Sequence, residues 1–465
     1  MTVLTKLSRQ RLLLVLSICA YVGCFQWVYI HYLYPTWGYF GFAYNQPTTG
    51  YLFLAFVLSA APSLWMPLEL TRPSLLAYWV LYFTVVIPSM FVPLYIGLNP
   101  LPEIGMLMLA IFGGFVIVGT SYWFPLLRLK YIRVPSGAFW KGFALVAIVL
   151  VFWIIVGFWK DLHVLSFLDI YDLRDSASDK FANSLLNYPL MWLSGAIDPI
   201  LMSCGLYYRR FPVFVAGALG QLLVYSAIGT KGSILSILFV VGFYFLFKIE
   251  RISFALKMAC GGLAILTGPA LAYVSLSGKD AGSLLAMILF IVLMRTLGIN
   301  GMLTAQYYDF FQRNPMTYYS HVKGISWFVH YPYANPMGIE VGSFYSGDAT
   351  LDATAHFWAM DGLAALGLTG VLLISVLCAL VFWLLDSAAA RHDARLAALM
   401  IAYAAYNFAN IPLFTALLSG GLGLLIIFFY LAPSQRGRHF TVSRKEVKNH
   451  ITGTLQRRAI SIPQQ

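Results

Sequence analysis

Charge is what this chain has least of. Asp, Glu, Lys and Arg together make up 10% of its 465 residues, and only 18 residues are acidic. Soluble domains carry about 25% charged residues, so a set of soluble domains does not fit, although length alone would suggest about three. Cysteine is scarce too. Cys19, Cys24, Cys204, Cys260 and Cys378 all fall inside apolar runs and form neither a CxxC pair nor a Cys/His set, which excludes a disulfide-stapled secreted fold. No internal repeat or low-complexity segment occurs. Walker loops, Gly-rich dinucleotide loops, HExxH and the serine-hydrolase elbow are all missing, so nucleotide-driven and classical hydrolytic chemistry have no motif here.

What is present is apolar: 60% of the residues are hydrophobic and 16% aromatic. A membrane-spanning helix needs about 20 mainly apolar residues. Twelve stretches qualify: 12–30, 51–68, 75–96, 104–126, 142–159, 186–207, 212–228, 233–247, 254–274, 362–385, 396–411 and 412–431. The reading is an all-α polytopic membrane protein of about 12 transmembrane helices with a single helical domain over 1–434 and a basic tail over 435–465. With the N-terminus cytoplasmic, most of the 30 Lys and Arg residues fall in inside segments, which meets the positive-inside rule at every cytoplasmic loop. The net charge of +12 therefore points to membrane orientation, with the tail anchored at an anionic lipid surface, and not to nucleic acid. A thirteenth crossing near 282–297 would place that basic tail outside, so it is not expected.

Three segments expected outside stand out: 160–184, the four-residue turn GTKG at 229–232, and the long connection 275–354 between the ninth and tenth helices. Within the last, 281–294 is apolar for only fourteen residues, too short to span, and reads as re-entrant or interfacial. The aromatic stretch after it reads as an ordered cap. Its rings suit sugar stacking, and they suit the membrane–water boundary equally well.

Lys231 stands between two glycines where backbone approaches a ligand closely and an ammonium meets phosphate oxygen; the alternative is snorkelling to headgroups. Arg295 closes an apolar run, where an arginine is costly without an anionic partner, and its planar fork suits a diphosphate. Arg174 has Asp172 and Asp175 beside it, a local ion pair or a ligand group. His356, five residues before Asp361, offers an imidazole for accepting a hydroxyl proton, with Asp361 as orienter or helix cap. Asp198, followed by Pro199 in mid-helix, is the single feature that speaks for transport.

The strings YDLRDSAS, IGTKGSIL, LMRTLGINGMLTAQYYDFF and GDATLDATAHFWAMDGLAALGLTG, in that order over roughly 160–385, resemble the O-antigen polymerase family of bacterial oligosaccharide-repeat-unit polymerases, with the related O-antigen ligases behind it. The resemblance implies a GT-C-like membrane glycosyltransferase of the bacterial inner membrane, with both termini cytoplasmic and the active site facing the periplasm. It would polymerise undecaprenyl-diphosphate-linked glycan units by inverting transfer. Donor and acceptor glycans are the implied partners, with a chain-length regulator protein as a further one. Arg174, Lys231 and Arg295 would bind the donor diphosphate, and His356 would act as base. Asp361, His321 and Arg313 are the orienting or alternative groups, and 275–354 would be a lid. The first external loop, 31–50, has no Asp or Glu, whereas metal-using relatives carry an acidic motif there, so neither metal nor other cofactor is expected. The rival functions are a ligase with the same donor and a lipid-linked oligosaccharide flippase.

Overall fold

The computed structural model describes residues 2–159, 187–276 and 283–434, and for residues 2–7, 231, 276, 283 and 284 the backbone alone. Segment 160–184 with Arg174, and the tail 435–465, lie outside the described residues. All regular structure among those residues is helical. Among the described residues nine helices are long and apolar enough to cross a membrane: α1 (Ser8–Phe40), α3 (Ser74–Ile96), α4 (Leu101–Thr120), α5 (Ser136–Phe158), α6 (Asn187–Tyr207), α7 (Phe211–Ile228), α9 (Phe254–Ser275), α10 (Leu285–Arg313) and α12 (Trp358–Ala389). Shorter apolar helices are α2 (Thr49–Leu64) and α16 (Leu422–Leu431), together with α8 (Lys231–Lys248). The remainder are α11 (Met337–Ser346), α13 (Ala394–Met400), α14 (Ala402–Phe408) and α15 (Leu413–Leu418). The chain is an all-α polytopic membrane protein.

Helices that are apolar all round must be buried in protein or lipid. α3 takes the first course, with 94% of its apolar window buried, and α5 the second, with 17%. Close packing relies on small residues at contacts. At Gly301 of α10 a Cβ would stand 2.6 Å from the Pro88 carbonyl oxygen of α3, so only glycine lets the two backbones meet.

Two expectations about helices change. The run 281–294 does not stop short: through a π-turn at Phe290–Gly298 it continues to Arg313, giving a 29-residue helix. The polar residues that interrupt its sequence pattern find partners inside the bundle: Asn300 Nδ2 donates to the Thr84 carbonyl at 3.0 Å, and Thr304 Oγ1 pairs with Ser89 Oγ at 2.8 Å. Both flanks of α10 nevertheless touch one end of the bundle. Phe290 packs on Trp37, and Asp309 pairs with Asn99. Conversely, the expected spans 396–411 and 412–431 are each broken. Ile401 (φ −90°, ψ 0°) separates α13 from α14, and Gly421, at φ 88°, separates α15 from α16.

The two ends of the bundle differ chemically. At one, termed the arginine end, Arg11 Nη1 donates to the Ser63 and Met66 carbonyls at 2.9 and 2.7 Å. Arg72 caps the end of α4 through Ser121 and Phe124, at 2.8 and 2.6 Å. Arg391 donates to the Tyr430 carbonyl at the end of α16 and lies 4.1 Å over the Tyr131 ring. These arginines meet orphan carbonyls at helix C-termini, where the macrodipole favours cations. Asp386, from the far side of the sequence, caps α3 by accepting from Ser74 N and Oγ at 3.0 and 2.7 Å. The far end carries the side-chain clusters described next.

Candidate functional site

The site begins with a break in α12. Gly367 (φ 61°, ψ −143°) holds a conformation that side-chain-bearing residues avoid, and Leu366 before it is also non-helical. This break leaves the carbonyls of Ala364 and Ala365 to accept from the loop: Thr317 N at 2.8 Å and Tyr318 N at 3.2 Å. Held there, Tyr318 (φ 48°) and Tyr319 (φ 63°) sit in the left-handed region, which costs about 1–3 kcal/mol for each residue and persists only where the surroundings enforce it. The turn so formed delivers His321 to Asp361.

His321 Nε2 lies 3.1 Å from Asp361 Oδ1; the carboxylate is fully buried and the imidazole side chain keeps 11% of its surface. The other carboxylate oxygen accepts from Leu413 N at 2.5 Å at the start of α15. His321 Nδ1 is 3.0 Å from Thr317 Oγ1, which has a second partner in the Ala364 carbonyl at 3.1 Å. An ionised carboxylate only accepts, so with Asp361 ionised Nε2 carries the proton and Nδ1 the lone pair, and the single Thr317 hydroxyl proton goes either to the Ala364 carbonyl or to Nδ1. An orienting carboxylate, an imidazole and a displaceable hydroxyl form the arrangement of a general base.

His356 is placed differently. It has no exposed surface; Nε2 pairs with Thr304 Oγ1 at 2.9 Å. Burial lowers its pKa from 6.5 to about 3, keeping it neutral. It joins Thr304 and Ser89 in a polar chain locking α10 and α3 together, and as placed no substrate hydroxyl reaches it. Asp361, expected five residues along as its orienter, serves His321 instead.

Arg295 is exposed on the π-turn of α10 and lies within electrostatic reach of Tyr406, whose hydroxyl lies beside the neighbouring Thr296. Tyr403, one turn earlier on α14, stacks toward Tyr406 with ring centroids 6.4 Å apart and lies beside Asn407. At Gly232, next to Lys231, a Cβ would stand 2.7 Å from the Tyr403 hydroxyl. The 229–232 turn and Arg295 therefore flank the same face of α14. The outgoing end of α14 borders the histidine pair: Phe408 stacks on Phe357 at 4.9 Å, and Leu413 just beyond meets Asp361. π-turns like that at Arg295 and the one at Trp358–Leu363, which carries Asp361, occur frequently at functional sites.

Arg313 makes a 2.6 Å ion pair with Asp309, one turn back on α10, while its side chain stays 59% exposed. Asp309 also accepts from Asn99 at 3.2 Å and from Tyr345 at 2.5 Å, so the group ties α10 to α11 and away from His321. The loop between α10 and α11 is pinned by Tyr333 to the Pro315 carbonyl and by Tyr331 to the Asn335 carbonyl. Trp327 and Phe328 project from it, 84% and 88% exposed.

Sequence reading missed Tyr403, Tyr406 and Asn407. Their i, i+3, i+4 spacing, a polar face in an otherwise apolar run, was the signal available. Thr317 had none, because its role depends on the break in α12. No protein-family model, curated protein or solved structure matches the chain.

Proposed function

We propose that the chain is a membrane glycosyltransferase that extends a glycan carried on a polyprenyl diphosphate, of the kind the resemblance to O-antigen polymerases implies. The observation that carries the reading is the convergence on α14: the lysine-bearing turn and Arg295 on one face, and the His321–Asp361 pair at its outgoing end. Departure of the diphosphate places negative charge on its oxygens. Cations fixed at that depth, in low dielectric, stabilise the transition state more than the ground state.

The incoming sugar hydroxyl takes the place of the Thr317 hydroxyl, which turns to the Ala364 carbonyl and frees the Nδ1 lone pair. His321 then accepts the hydroxyl proton as the oxygen attacks the anomeric carbon. Asp361 stabilises the imidazolium through Nε2. Attack opposite the leaving diphosphate inverts the centre. This assigns the base to His321, the alternative in the sequence reading, because His356 has no face toward a substrate. In the loop, the exposed Trp327 and Phe328 are the surfaces on which the acceptor glycan stacks. The site is proposed to face the periplasm of a bacterial inner membrane.

Full-length protein in proteoliposomes, given a synthetic polyprenyl-diphosphate oligosaccharide, tests the reading. A ladder of products that persists in EDTA and disappears in Arg295→Ala supports it; no product from the wild type, or a ladder indifferent to that substitution, overturns it.

A further inference from the structure

Asp198 lies at the middle of α6, 1% exposed, with Oδ2 lacking any hydrogen-bond partner. It faces α7, where Gly220 has no Cβ and the carboxyl packs directly on the backbone. Next along α7 is Gln221, fully buried, whose Nε2 donates 2.8 Å to the Ser194 carbonyl. That carbonyl is free for a sequence reason. The π-turn Leu193–Ile197 closes with Asp198 N donating to the Leu193 carbonyl, and the next donor in register would be residue 199, a proline with no N–H. Because Ser194 offers only an acceptor, the Gln221 amide orientation is settled: nitrogen toward Ser194, Oε1 away from it. Gln221 Oε1, too, has no partner.

The seam between α6 and α7 thus holds two buried acceptor oxygens and, among the described residues, no donor for either. An unpaired carboxylate at this depth is among the costliest groups a membrane protein carries. Among the described residues nothing nearby neutralises it: between Trp192 and Ile228 the other charged residues are Arg209 and Arg210, in the turn at the helix ends. The helices α5, α8, α13, α14 and α16 also pack on α6, and their charged residues are Lys141, Lys231, Lys248 and Arg395, each within two turns of a helix end.

We propose that Asp198 and Gln221 form an intramembrane site for a monovalent cation, in its simplest form a proton on Asp198 donated to Gln221 Oε1, with sodium shared between the two oxygens as the other form. The site is separate from the transferase reading, which uses neither residue.

Infrared difference spectra of full-length wild type against Asp198→Asn in nanodiscs at pH 7, in sodium-free buffer and in sodium chloride, test it. The expected result is one carbonyl band of a protonated carboxyl group, present in the wild type and lost in the variant. Persistence in sodium identifies the proton form. Disappearance on adding sodium chloride but not potassium chloride identifies the sodium form. Absence of the band in both buffers overturns the site. Gln221→Leu supplies the second reading, needed if Asp198→Asn does not fold: the band must shift as its hydrogen bond is lost, and an unmoved band overturns the pairing.

Discussion

The two ends of this bundle spend their polar groups differently. At the arginine end, Arg11, Arg72 and Arg391 terminate on backbone carbonyls, and Asp386 terminates on the backbone N–H and hydroxyl of Ser74. Such groups finish helices, and once bonded they have nothing further to offer. At the far end, side chains bond side chains: His321 with Asp361 and Thr317, His356 with Thr304, Asp309 with Arg313, Asn99 and Tyr345. There His321 pairs with a fully buried carboxylate and keeps an open edge. The comparison teaches that the position of a charge in such a chain says less than what it terminates on.

The largest effects belong to the far end. Asp361→Asn keeps an acceptor for Leu413 but presents His321 with the wrong hydrogen-bond partner, and His321→Ala removes the base. Each is expected to lower the rate of glycan transfer by about 10²–10⁴-fold at unchanged protein yield, the usual range for general-base catalysis. Equal rates in Asp361→Asn and wild type, measured on the ladder assay, would break the contrast between the two ends. Arg295→Ala is expected to cost about 10²–10³-fold, in line with removing one donor to a developing oxyanion, and Arg295→Lys less.

Next comes pH. Burial lowers His356 to about 3 and His392 to about 4 from an ordinary 6.5. Below pH 6.5 the unfolded chain therefore takes up protons that the folded chain refuses. Stability is greatest above that value and falls as the pH drops toward the folded values, by about 1.4 kcal/mol per unit for each residue. Thermal unfolding in detergent should show a falling midpoint between pH 6.5 and 4.5, and His356→Gln should flatten the slope by about half. Arg72→Ala follows, expected to cost about 1–2 kcal/mol of stability by leaving two carbonyls without their charged donor, while transfer rate per folded molecule is unchanged. A loss of rate larger than the loss of folded protein would erase the distinction between finishing groups and working groups.

How much of this was legible in the sequence depends on the range of the interaction. Apolar runs write the helices directly, because lipid leaves the backbone no other way to satisfy itself. Hence α3, α4, α6 and α7 fall close to their expected places. The same rule fails for α10, whose Asn300 and Thr304 look like loop residues until Thr84 and Ser89 are seen beside them. It fails again at 396–431, where apolar composition conceals breaks at Ile401 and Gly421. Asp361 was legible as a candidate from its place after a histidine at a helix start. Its partner was not, since His321 comes from 40 residues away through a strained turn that depends on Gly367. Proximity in sequence favoured His356, which the fold leaves without exposed surface.

The smallest effect is expected at a residue that sequence position alone would rank with the site. Arg313 ends α10 beside the aromatic loop and holds Asp309 at 2.6 Å, which reads like a working ion pair. Three facts argue otherwise. The guanidinium is more than half exposed, so solvent screens the attraction and the pair is worth less than about 1 kcal/mol. Asp309 keeps Asn99 and Tyr345 as partners when Arg313 is removed, so no buried charge is stranded. And α10 already ends there, its last carbonyls lying in the last turn, where Asn314 N still bonds the Phe310 carbonyl. Arg313→Ala should therefore shift stability by less than about 0.5 kcal/mol and leave transfer unchanged, whereas Asp309→Ala, which releases all three partners, should destabilise the chain measurably. If Arg313→Ala instead shortens the glycan product at normal stability, its exposed face binds the acceptor, and the boundary of the site moves outward from His321 to the end of α10.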